Sequence, residues 1–166
     1  MGLLVVGDVG AARGEYHAGD EGMLAAAVDE LTDRGFTDLT VVSADPVDTE
    51  ARYRVRSVGS LASSAPPGTS GATLHRRHDE IMAVATGNAS RADWSDSAAT
   101  LINDVADCDG LLIAGGGNLS SLWPEHVYER FTLASLARHF GKPIVVSGQT
   151  LGPHLNGRDG ALIAQT

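Results

Sequence analysis

Short uninterrupted apolar runs alternate along the chain with longer segments in which apolar residues recur every three or four positions. Residues 3–6 form the first run, and Gly7-Asp8-Val9-Gly10 follows at once, the pattern of a buried strand entering a loop. Met23, Leu24, Ala27, Val28 and Leu31 then recur at helical spacing, with Gly35 as the stop. Residues 39–43 predict a second strand, ended by Ala44-Asp45-Pro46, and residues 53–58 a third, in which Arg alternates with apolar side chains. Residues 59–73, with Ser63-Ser64, Pro66-Pro67 and Gly68, are expected to be loop. Residues 74–86 suggest a short helix. Residues 97–106 suggest a stronger one, because Ala98, Leu101, Ile102 and Val105 share one face. Residues 111–114 are another apolar strand, ending in Gly115-Gly116-Gly117. Pro124 suits a first helical position, and a stripe of Val127, Phe131, Ala134 and Ala137 runs from it to a stop at Gly141. Residues 144–146 are the expected last strand, and a new helix is expected to begin after Asp159-Gly160.

Strands that are apolar throughout, alternating with amphipathic helices, belong to a parallel sheet covered on both faces. The fold class predicted is therefore α/β: a Rossmann-like, mostly parallel sheet of about five strands with helices on both faces. A length of 166 residues suits one domain. The chain stops just inside a new helix, so a truncated domain is expected.

Composition narrows the function. The net charge of −9 repels nucleic-acid backbones, so no nucleic-acid partner is expected. The single cysteine, Cys108, excludes an internal disulfide framework and a multi-cysteine metal cage, and precedes a buried strand as inert packing. No apolar run approaches a transmembrane span or a signal-peptide core, which leads us to expect a cytoplasmic protein. The basic residues are Arg except for Lys142, a bias that genomic base composition explains.

Ligands of open parallel sheets bind beyond the carboxyl ends of the strands. Three glycine-rich loops leave strands at that edge: residues 7–20, 115–121 and 148–153. In the first, Asp20 is expected to cap a helix, with Glu21 adding favourable charge at the helix start. Alternatively, one of these carboxylates leaves the cap to bind ligand hydroxyls or act as a base, with His17 titrating beside it. Gly115-Gly116-Gly117-Asn118 either makes a tight turn or presents backbone N–H groups to a ligand. Gln149 and Thr150 either anchor their own loop or bind a hydroxylated ligand, since an amide donates and accepts at once. No Gly-x-x-x-x-Gly-Lys-Ser/Thr occurs. Gly7-x-x-Gly10-x-x-x-Gly14 breaks the dinucleotide fingerprint, although Asp45 follows the second strand. The histidines show no metal-ligand spacing on one helix, so no metal is expected.

Together, Gly19-Asp20-Glu21, Gly115-Gly116-Gly117-Asn118-Leu119 and Gly148-Gln149-Thr150-Leu151-Gly152-Pro153 resemble, in order and across nearly the whole chain, the motifs of polysaccharide pyruvyl transferases. The stretch from Gly10 to Ala18 departs from the aromatic, Asn-rich lead-in of that family. The resemblance implies one half of a two-domain architecture like that of B-type glycosyltransferases, this chain being the N-terminal domain and its C-terminal domain lying outside it. It implies transfer of a pyruvyl group from phosphoenolpyruvate, with no further cofactor, to two hydroxyls of a polysaccharide or lipid-linked glycan. Gly19, Asp20, Glu21, Gly115, Gly116, Gly117, Asn118, Gln149 and Thr150 would line the acceptor, with Asp20, Glu21 and His17 as acid–base candidates. Arg13, Lys142 and Arg158 are the few cations expected at the glycine edge, which places most of the donor site in the other domain. The rival expectations are a B-type glycosyltransferase using a nucleotide sugar and a non-catalytic Rossmann-like binding module.

Overall fold

The computed structural model of the chain describes residues 1–10, 16–66, 68–90 and 94–166, with Asn118 described in its backbone alone. Five strands form the main sheet: β1 (Gly2–Val6), β2 (Asp38–Ser43), β3 (Arg56–Gly59), β4 (Gly110–Ile113) and β6 (Ile144–Val146), in the order β3-β2-β1-β4-β6. All pairings are parallel. Leu3 stands between Leu39 and Gly110, and the Gly2 amide donates to Asp109 just ahead of β4.

Alternate residues of β1 enter different cores. Leu4 and Val6 join Val42, Leu111 and Ile113 under α5 (Ala98–Asp107) and α6 (Pro124–His139). Val5 joins Leu39 and Val41 under Leu24 and Val28 of α1 (Ala18–Asp33). With helices on both faces, neither parity meets water, which is why this strand is apolar throughout. Each such side chain, fully buried, contributes roughly 1.5–3 kcal/mol. The expected α/β class and parallel five-stranded sheet are thus observed.

Several boundaries differ from the sequence expectation. The N-cap of α1 is His17, not Asp20, and Asp20 and Glu21 lie in the first turn instead. The other end of α1 is as expected: Gly35 takes a left-handed φ of 87°, and its amide and that of Phe36 reach back to Thr32 and Leu31. Residues 53–58 are not one strand. Asp45 caps a helix with Pro46 at its first position, giving α2 (Pro46–Tyr53), and only Arg56–Gly59 pairs as β3. The expected loop after it contains α3 (Leu61–Ser64), and α4 (Gly71–Ala85) starts early because Ser70 caps it.

The largest difference concerns two of the glycine loops. Gly116–Leu119 is a strand, β5, and Gln149–Leu151 is another, β7, and the two pair in parallel as a separate small sheet. Gly148 and Gly115 make this possible: a Cβ on Gly148 would stand 3.4 Å from Gly115 Cα, and Gly148 takes a φ of 66°. Where β4 and β6 end, their continuations bend together and keep pairing. The last helix, α7 (Gly157–Ile163), is capped by Asn156 and so begins ahead of its expected start. No helix among the described residues is long and apolar enough to cross a membrane.

Candidate functional site

Asp8 follows β1 directly, His17 caps α1, Asp20 sits in its first turn, and His126 lies in the first turn of α6. The parallel sheet brings these starts and ends to one edge. His17 Nδ1 stands 3.5 Å from Asp8 Oδ2 and 3.7 Å from Asp20 Oδ2, while His126 Nδ1 stands 3.9 Å from Asp8 Oδ1. His17 is half exposed, and both carboxylates are largely covered. Asp20 and His17, chosen from sequence, therefore do meet. Asp8 and His126 were missed, although a carboxylate at the end of the first strand was the available signal for Asp8.

Burial, and then the charge of Asp8, push the Asp20 carboxyl above its ordinary range, against smaller lowering by His17, Arg130 and His126. Burial and then Arg130 hold His126 below the usual imidazole value, so it is neutral at pH 7. A carboxylate of raised proton affinity beside imidazoles is equipped to take a proton from a hydroxyl. The Asp8, His17 and Asp20 donor atoms all lie within 4.8 Å of one another, a spacing that could hold a divalent cation and that spans two elements instead of one helix.

Glu21 turns away from this group. It is 3% exposed, and its carboxylate accepts from the Gly10 amide at 2.9 Å and from the Tyr53 hydroxyl, with Arg52 at 3.4 Å. Its polar capacity is directed to the protein. Gly19 is exposed, with open space around it.

The second and third motifs are partly consumed by their own sheet. Gly115 touches α1, where an added Cβ would meet Met23 Sδ at 2.7 Å. Gly116 is buried, while Gly117 and Thr150 face outward, and the side chain of Asn118 lies outside what is described. Gln149 spends its amide N–H on the Ala114 carbonyl, leaving its Oε1 buried without a partner. It is an anchor on its donor side.

The expected cations also redistribute. Arg13 falls outside the described residues. Lys142 precedes β6 and so lies at the opposite end of the sheet, where its charge acts on Cys108. Arg158 belongs to α7 and rests on Gly71. Among the described residues, the cation beside the carboxylates is Arg130, fully buried on α6, with Nη1 at 3.1 Å from His126 Nδ1 and 3.0 Å from Glu129 Oε2. Glu129 in turn accepts from the Ser60 hydroxyl at 2.6 Å and the Ala62 amide at 3.1 Å. Across α6, a cavity of about 210 Å³ opens between α3 and α4, lined by Leu61, Leu74, His78, Ile81 and Tyr128 among others.

Set beside known proteins, residues 17–165 match the family model described as polysaccharide pyruvyl transferase. No curated protein and no solved structure matches the chain.

Proposed function

The chain belongs to the polysaccharide pyruvyl transferase family, and on that premise we propose that it forms the acceptor side of an enzyme moving a pyruvyl group from phosphoenolpyruvate to a glycan. The observation that carries this reading is the meeting of Asp8, His17 and Asp20 at the carboxyl edge of the sheet. The acceptor is a sugar of a polysaccharide or lipid-linked glycan with two neighbouring hydroxyls. One hydroxyl gives its proton to Asp20 as its oxygen bonds to C2 of phosphoenolpyruvate, and the methylene carbon takes a proton to become methyl. The second hydroxyl then attacks C2 as phosphate leaves and takes up that hydroxyl's proton, closing the ketal.

His17 stands between the two carboxylates and orients them. Burial, and then the charge of Asp8, raise the proton affinity of Asp20, which favours its taking the hydroxyl proton. Gly117 and Thr150, facing outward on the small sheet, border the sugar. We assign the phosphate-binding cations and the acid for the methylene carbon to a second α/β domain facing this edge. The support is electrostatic: the charged or titratable groups acting on Asp20 are Asp8, His17, Arg130 and His126, and Arg130 among them is fully buried with its Nη1 on Glu129. We place the reaction in the cytoplasm, which supplies the phosphorylated donor.

The test is phosphate release by the full-length enzyme from phosphoenolpyruvate, with and without glycan. Glycan-dependent release, lost in Asp20→Asn, supports the reading. Release of nucleoside diphosphate from a nucleotide sugar would overturn it. Residues 1–166 alone should fold and not transfer, because a domain holding one substrate forgoes an orientation effect of roughly 7–11 kcal/mol.

A further inference from the structure

We propose that Arg52 and Tyr53, at the end of α2, are positioning residues: acting through Glu21, they fix where Asp8, His17 and Asp20 meet. The inference rests on the acid–base reading just given. Tyr53 donates its hydroxyl to Glu21 Oε2 and also lies 3.3 Å from the Glu21 carbonyl oxygen. Arg52 Nη1 stands 3.4 Å from the same Oε2, while its Nη2 holds Asp48 at 2.5 Å. The other carboxylate oxygen, Oε1, accepts from the Gly10 amide. One buried carboxylate thus joins the turn after β1, the first turn of α1 and the last turn of α2. Arg52 also covers the Tyr16 ring, 4.9 Å from its centroid, next to His17.

Little in this clasp is free to shift alone. Gly10 has a φ of 94°, and a Cβ there would stand 2.4 Å from the Asp45 amide nitrogen. The Val9 carbonyl accepts from the Ala44 amide at 2.8 Å and from the Ser43 hydroxyl at 3.2 Å. Asp8 is held between β1 and that pinned turn. On α1, the Glu21 amide donates to the His17 carbonyl at 3.0 Å, so fastening Glu21 fastens the residue that presents the imidazole. Asp20 is its chain neighbour. Removing a donor at position 52 or 53 leaves a buried carboxylate under-satisfied, and α1's first turn must shift to rehydrate it. The 3.5 and 3.7 Å separations around His17 then change.

The experiment uses the full-length enzyme carrying Arg52→Met, Tyr53→Phe or both, with Arg52→Lys as the conservative variant. Arg34→Met, which removes only the exposed pair with Glu30, is the control. Hydrogen exchange at the Gly10 and Glu21 amides should quicken about tenfold in the neutral variants and stay near wild type in Arg52→Lys and Arg34→Met. In the same variants the acceptor KM should rise about tenfold and kcat fall, with the phosphoenolpyruvate KM unchanged. A purely structural role predicts instead less active enzyme with both KM values intact. Unchanged exchange at Gly10, or folded variants with an unchanged acceptor KM, overturns the proposal. A wild-type enzyme that transfers no pyruvyl group sinks the functional reading instead, and the exchange experiment still decides whether Arg52 and Tyr53 hold this turn.

Discussion

The junction of β1 with α1 and the small β5·β7 sheet adjoin at one edge, yet they use their polar atoms in opposite ways. At the junction, side chains from three elements converge, and His17 Nδ1 lies 3.5 and 3.7 Å from two carboxylates, longer than an ordinary hydrogen bond. In the small sheet the backbone pairs with itself, and Gln149 gives its amide to Ala114. Glycine is abundant in both. At β5·β7 it lets two strands touch, and at Gly10 it lets a turn press against α2. A glycine at a strand end therefore marks close backbone approach, and at both places the approaching partner is another segment of the protein.

Substitutions can break that contrast. Asp20→Asn should lower transfer by about 10²–10⁴-fold, the range for loss of a general base, without loss of thermal stability. An equal loss of activity and folded protein would move Asp20 to the structural side of the comparison. Behind the junction, Glu129→Gln or Arg130→Met leaves one buried charge unpaired and should cost about 3–5 kcal/mol in urea unfolding. The double variant should recover much of that, and a loss equal to the sum of the singles would show that the pair is not coupled.

In the small sheet, Gly115→Ala places a methyl group 3.2 Å from the Gly148 carbonyl oxygen and should cost about 1–3 kcal/mol, measured by thermal unfolding. Gly117→Ala meets nothing within 4 Å, so its stability should change by less than about 0.5 kcal/mol. Its acceptor KM therefore isolates ligand contact from packing, and an unchanged KM removes Gly117 from the acceptor surface.

The smallest effect expected is on pH dependence. Because Asp20 has a raised pKa in the fold, the folded chain binds more protons than the unfolded one just above pH 3.8, and stability falls as pH rises through that window. Asp20→Asn should abolish that fall. His78 and His126 are held low, chiefly by burial, so the unfolded chain binds more protons just below pH 6.5. Their contribution is complete above pH 6.5 and is lost on acidification, visible as a lower melting temperature at pH 5.5 than at 7. An acid-insensitive melting temperature would contradict it.

Strands β1, β2 and β4 and helices α1 and α5 were legible because burial on both faces, or on one stripe, writes itself as apolar periodicity. β6 showed as an apolar run although Val145 and Val146 are exposed, and α6 is buried nearly all round. Helix α2 has no such stripe: Val47 is 78% exposed and Thr49 is its buried residue, so only the Asp45 cap and Pro46 announce it. Reading Tyr53 as strand hid both donors to Glu21. β5 and β7 escaped because their glycines and polar residues pair only once β4 and β6 lie adjacent. At the site, helix-start chemistry pointed to His17 and Asp20. Glu129 and Arg130 sit among Val127, Tyr128 and Phe131, and nothing local says that this charged pair inside a helix is buried, since Glu129's other partners, Ser60 and Ala62, lie 69 and 67 positions away.

The central place of β1 has a consequence for synthesis. β1 is synthesised before both of its neighbours: β2 follows soon after, but the other side of β1 waits for β4. Gly2 and its partner Asp109 are 107 positions apart, which at about 5–20 residues per second is a delay of roughly 5–20 s. Until β4 is made the nascent chain carries an open strand edge, and Leu4 and Val6 stay uncovered until α5 and α6 follow. The protein's exposure to misassociation during synthesis therefore depends on translation speed between β1 and β4, and not only on the stability of the finished sheet.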